Sequence, residues 1–166
     1  MHAVFANDFS PAMVSMYNAS ASVIPAGMAV KRTPASSQSL PDAANPLSAV
    51  SFLRGVNMYT ASVYGNQQNF IGVSVESIAP STFGAVCIGG PCQVRISAEA
   101  TCSTGFALGV DTTAPGYFVV MAAASAVAMP CVPAMVLETQ NAVTADGFVN
   151  AFIEPVKLAG GAGKFT

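Results

Sequence analysis

The sequence has no tryptophan, a single histidine, and only 6 basic and 8 acidic residues among 166. A soluble domain of this length ordinarily carries roughly forty charged residues. Each scarcity excludes something. Six scattered Lys and Arg cannot neutralise a phosphate track, so nucleic-acid binding through a basic face is excluded. One histidine, His2, near the chain start, leaves Ser-His-Asp chemistry without a placed base. No two acidic residues stand at close spacing, and no His or Cys cluster has zinc spacing, so no catalytic residue, metal site or cofactor site is expected. A net charge of −2 on a chain that is 52% hydrophobic excludes disorder. Folded as a monomer, the chain would expose on the order of 7,700 Å². So little charge on such a surface leaves neutral and apolar areas that commonly mark contact with a partner.

A membrane span is the other home for an apolar chain. The one uncharged stretch of sufficient length, Phe118 to Leu137, contains Pro130 and Pro133. These break a helix, and no basic residue flanks the stretch to orient it. Met1 to Ser20 carries Asp8 and no basic residue, so it does not read as a secretory leader. The expectation is a soluble protein made in the cytoplasm.

What is abundant is β signal. Val, Ile, Thr and aromatic residues fall in short runs broken by Gly and Pro, as in a barrel or sandwich. Strands are expected at Met28–Arg32, Phe70–Ile78, Gly84–Ile88, Cys92–Ser97, Ala107–Asp111, Tyr117–Ala122, Ala134–Thr139 and Phe148–Leu158. Cys87 and Cys92 bracket Ile-Gly-Gly-Pro, which reads as a hairpin turn; a disulfide across it is conceivable, though four reduced cysteines used as small hydrophobes fit better. Two short helices are expected, one opening at Ser10-Pro11 and carrying Met13, Met16 and Tyr17, the other opening at Asn45-Pro46 and ending at Gly55. Thr33 to Pro46 reads as a long loop.

The chain repeats itself. Val23-Ile-Pro-Ala-Gly-Met-Ala-Val30 aligns with Thr101-Cys-Ser-Thr-Gly-Phe-Ala-Leu108, and Val73-Ser-Val-Glu-Ser77 with Met135-Val-Leu-Glu-Thr139. The expected organisation is an N-terminal arm over residues 1–21, one all-β domain over 22–158 and a flexible tail over 159–166. The domain would be a compact barrel or sandwich of two related β units, about 22–97 and 98–158, with short helical turns. Glu76 and Glu138 occupy equivalent positions and read as outward strand residues or subunit contacts. In the arm, Phe5, Phe9, Met13, Met16 and Tyr17 recur every three or four residues. They either dock on their own domain or serve as subunit or capsid contacts in a neighbour's groove.

Gly27-Met-Ala-Val-Lys31, Ile71-Gly-Val-Ser-Val-Glu76 and Gln93-Val-Arg-Ile96 form one series of motifs. Gly105-Phe-Ala-Leu108, Val136-Leu-Glu-Thr139 and Ile153-Glu-Pro-Val-Lys157 form a second. Together, over about residues 22 to 158, they resemble the small capsid decoration (cement) proteins of tailed bacteriophages. Ala134-Met135 replaces the expected glycine of the second copy, and Thr33 to Pro46 has no counterpart. The resemblance implies a non-enzymatic virion protein on the outside of an icosahedral phage head, a homotrimer that bridges major capsid proteins. It implies no cofactor, nucleic acid or membrane partner. A competing reading is a carbohydrate- or receptor-binding module of a virion spike. Its aromatic-polar patch would be Tyr59 and Tyr64 with Asn57, Asn66, Gln67, Gln68 and Asn69.

Overall fold

A computed structural model describes residues 10–32, 55–59, 70–98, 100–121 and 133–154. Alternating burial along short β-branched runs makes these residues strands. In β11 (Phe148–Ile153), for example, Val149, Ala151 and Ile153 are buried while Phe148, Asn150 and Phe152 face outward. The described residues are all-β, with no helix. The other strands are β1 (Ala12–Asn18), β2 (Ala29–Arg32), β3 (Gly55–Met58), β4 (Phe70–Ser74), β5 (Phe83–Arg95), β6 (Ala100–Cys102), β7 (Ala107–Val110), β8 (Phe118–Val120), β9 (Ala134–Val136) and β10 (Gln140–Val143).

The first five strands close on themselves in the order β1-β3-β2-β4-β5, with β1 pairing back onto β5. Closure leaves no unpaired edge in this ring. Ile24, Met28, Val30, Val56, Ile78 and Val86 fill it. From Gly90 onward β5 changes partner and pairs with β11, continuing as β5-β11-β9-β7-β8. A single parallel bridge from Ile96 to Phe118 links this second sheet's far strand back to the end of β5. The second core includes Val94, Leu108, Phe118, Val136 and Val149, and reaches across to Ala29, Tyr59, Phe70, Val73 and Cys87 of the barrel. Phe70 meets Phe118 edge-to-face, with ring centroids 6.1 Å apart.

The two halves trace the same course. Gly27 N–H donates to the Ser74 carbonyl at 2.7 Å, and Gly105 N–H to the Val136 carbonyl at 2.9 Å. Both glycines are left-handed, with φ of 81° and 83°. Ser81 N–H donates to the Asn18 carbonyl and Asp146 N–H to the Ile96 carbonyl; these two donors are the non-glycine residues with positive φ among the described residues. By this register the second half of β5 does in the second unit what β1 does in the first. One strand closes the barrel and then opens the next sheet.

Several expectations are corrected. Ser10 to Tyr17 is not helical: Ala12–Asn18 pairs along its length with β5 and, at Tyr17 and Asn18, with β3. Met16 packs against the barrel core, and the spacing of Met13, Met16 and Tyr17 is overridden by these cross-strand partners. Residues 12–18 of the expected arm are therefore a barrel strand. Nor is Ile88-Gly-Gly-Pro91 a hairpin: the strand runs through it and bends at Gly90, whose φ is 91°. Cys87, Cys92 and Cys102 are free thiols. Gly55 begins a strand rather than ending a helix. The Asn45-Pro46 helix, the Thr33–Pro46 loop and the 159–166 tail lie outside the described residues, as does most of the Phe118–Leu137 stretch, which begins in β8 and reaches β9. Among the described residues no helix is long and apolar enough to cross a membrane.

Candidate interaction surface

Strand register lays four residues side by side on the outer face of each unit. In the barrel the row is Ala29, Val73, Cys87 and Met13; in the second unit it is Ala107, Met135, Phe152 and Pro91. The rows occupy equivalent places but have different surroundings. Ala29, Val73 and Cys87 are fully buried, sealed by the core they share with the second unit. The second unit's row is covered only in part: Ala107, Phe152 and Pro91 are half-buried and Met135 is 40% exposed. Phe106 is 44% exposed where its barrel equivalent, Met28, is buried. Leu137 and Phe148 add exposed apolar surface nearby.

Charge does little to compensate, because the carboxylates of Asp146, Asp111, Glu76 and Glu138 are engaged locally. Arg95 Nη1 donates to Asp146 Oδ1 at 2.5 Å, its Nε donates to the Ala26 carbonyl at 2.9 Å, and its guanidinium lies 4.7 Å from the Phe148 ring centre. Tyr117 donates its hydroxyl to the same Asp146 oxygen at 2.9 Å. These bonds from Arg95 and Tyr117 hold the Asp146 carboxyl below its ordinary value. Burial, then Asp146 itself, pushes the Tyr117 hydroxyl up. Burial also pushes on Asp111, but bonds from the Ser97 hydroxyl, from both donors of Thr113 and from Ala114 N–H outweigh it and hold that carboxyl low. Glu76 accepts from Ala85 N–H at 2.8 Å and Glu138 accepts from the Asn150 amide, so each serves its own unit.

Beside the outer row lies an open groove of about 450 Å³ lined by Pro91, Cys92, Gln93, Leu137, Glu138 and Asn150. Its floor is a chain of bonds in which Gln93 Nε2 donates to Asn150 Oδ1 at 3.2 Å and Asn150 donates to Glu138. Among the described residues no three His, Cys, Asp or Glu side chains gather as metal ligands.

The expected contact residues fall in different places. Phe5 and Phe9 lie outside the described residues. Met13 is 46% exposed on β1, Met16 is half-buried, and the Tyr17 ring packs edge-on against Phe83 with centroids 5.3 Å apart. For the sugar-binding patch, Tyr59 is buried at the junction of the two units, with Lys31 Nζ 6.0 Å from its ring centre, and so cannot be a solvent-facing platform. Asn57 is half-buried, and Tyr64, Asn66, Gln67, Gln68 and Asn69 lie outside the described residues. Residue-by-residue reading missed the row on the second unit. The available signal was Ala-Met-Val at 134–136, apolar on both faces of a strand where alternation would put a polar residue outside.

No family model and no curated protein matches the chain. Among solved structures it is similar to the head fiber gp8.5 N base in bacteriophage phi29, at 14% identity and a TM-score of 0.48. The alignment covers 87% of this chain and 96% of that one. At that score the likeness assigns no role.

Proposed function

We propose that the chain is a structural protein of a bacteriophage particle, a decoration protein on the outside of the head. In this reading it is made in the host cytoplasm, assembles as a homotrimer and bridges major capsid proteins. It performs no catalysis and needs no cofactor, nucleic acid or membrane. The motif series of the sequence supports the reading, and one structural observation carries it: the outer row of the second unit is exposed at Met135, beside the exposed apolar side chains Phe106, Leu137 and Phe148. An exposed apolar sheet face with few free charges is costly in water and favourable against a partner. Ala29, Val73 and Cys87 of the equivalent barrel row are buried by protein, so this surface chemistry is already used once within the chain as a packing face.

Binding to the assembled shell would stabilise that shell in proportion to occupancy and affinity. The test is co-sedimentation of the purified chain with phage heads that lack it. Met135→Glu together with Phe106→Glu should keep the melting temperature and lose binding; full binding by the double variant would remove the row from the account.

A further inference from the structure

The two units build the same corner from different residues. In the barrel, Ser15 stands opposite Ala85 across β1 and β5, and Val75 N–H donates to the Ala85 carbonyl at 3.0 Å. In the second unit, Gln93 stands opposite Asn150 across β5 and β11, and Leu137 N–H donates to the Asn150 carbonyl at 3.0 Å. A glutamate follows in each, Glu76 after Val75 and Glu138 after Leu137. Glu76 accepts from the backbone N–H of Ala85, whereas Glu138 accepts from the Asn150 side chain, whose Oδ1 in turn accepts from Gln93. The barrel pairs these strands with a serine and an alanine, so strand pairing does not require the two amides of the second unit. What they add is a polar chain that ends on a carboxylate.

That chain borders the apolar surface. Leu137 lies two residues after Met135, and Asn150 two residues before Phe152, so both share the outer face with the row. Pro91 and Leu137 give the groove apolar walls. Glu138 is exposed, and the ion pair among the described residues is made elsewhere, by Arg95 and Asp146. A protein laid over Met135 would take the Glu138 carboxylate out of water with only amide donors beside it. A buried charge without an opposite charge opposes docking, so a partner that fits this face must bring a cation. We propose, resting on the reading that this face docks on the phage head, that the groove receives a lysine or arginine side chain of the major capsid protein. Its aliphatic stem lies along Pro91 and Leu137, and its cationic head pairs with Glu138. Asn150 donates to Glu138 Oε1, which leaves Oε2 to accept from the incoming head. The exposed apolar side chains supply adhesion, and Glu138 selects the partner that carries the matching charge.

The experiment measures the affinity of the full-length chain for phage heads that lack it, by co-sedimentation between about 50 and 500 mM NaCl. Wild-type affinity should fall as salt rises. Glu138→Gln should bind at least about tenfold more weakly at the low-salt end and lose most of that salt dependence. Gln93→Ser with Asn150→Ala installs the barrel's own residues; it should keep the melting temperature and weaken binding several-fold. Glu76→Gln is the equivalent change in the barrel, and its amide oxygen can still accept from Ala85 N–H. It should match wild type in both affinity and salt dependence. Wild-type binding that ignores salt, or full binding by Glu138→Gln, would overturn the groove proposal while the docking reading stands. Weaker binding by Glu138→Gln with an unchanged salt slope would also overturn it, since the groove would then hold a neutral hydrogen-bonding group such as a saccharide. Absence of wild-type binding at every salt concentration would remove the docking reading and the groove proposal together. The wild-type salt series decides the matter whether or not the variants fold.

Discussion

Arg95 lies over the Phe148 ring, 4.7 Å from its centre, at the position that Tyr17 takes against Phe83 in the barrel. The first unit closes this strand pair with two aromatic rings, and the second with a cation over one. Arg95 also ties Asp146 and the Ala26 carbonyl together, so it joins the turn before β11 to the turn before β2. Arg95→Ala should cost roughly 1–3 kcal/mol in urea unfolding, from a lost cation–ring contact and a lost charged hydrogen bond. Arg95→Lys should recover less than half of that, because a point charge cannot serve ring, carboxylate and carbonyl at once. Equal stability of the Ala variant and wild type would contradict the joining role.

Acid should weaken the fold through Asp111 and Asp146. Both carboxyls are held below their ordinary value of 3.8 in the folded chain. A depressed folded value means the contribution is complete above the unfolded value and is lost as pH falls through the folded one. Melting temperature should therefore drop more steeply below about pH 4 than it does between about pH 5 and 7. Asp111→Asn should flatten that slope; an unchanged slope would show that the Ser97 and Thr113 bonds do not favour the charged form.

Two glycines separate steric need from backbone need. A Cβ on Gly72 would lie 2.2 Å from the Cys87 carbonyl oxygen, which is backbone and cannot swing away. Gly105 has nothing within 4 Å but holds a φ of +83°. Gly72→Ala should cost about 3 kcal/mol or more and part β4 from β5. Gly105→Ala should cost only about 1–2 kcal/mol, the strain of a left-handed alanine. Denaturant titrations of the two variants, side by side, check the order.

Much of the β architecture was legible because its signals are local. Gly27 and Gly105 stand before matching strands in the sequence, and both have the same left-handed backbone in the structure. Glu76 and Glu138 fall at equivalent places, both exposed. What was not legible depends on partners distant in the chain. β1 carries a helical spacing of apolar residues, yet β5, seventy residues later, makes it a strand. Gly89-Gly90-Pro91 has turn composition, but β1 pairs up to it and β11 pairs after it, so it bends a continuous strand. Tyr59 reads as a loop aromatic until the second unit packs over it. The row through Met135 was hidden for the same reason: exposure belongs to the assembled sheet and not to the residue.

The most direct test of the structural-protein account is quantitative mass spectrometry of gradient-purified phage particles from infected cells that make this chain. The account predicts the chain in the particle fraction at a fixed ratio to the major capsid protein, removed from the surface by mild protease while the shell remains. Its recovery only in the soluble fraction, with particles free of it, would contradict the account.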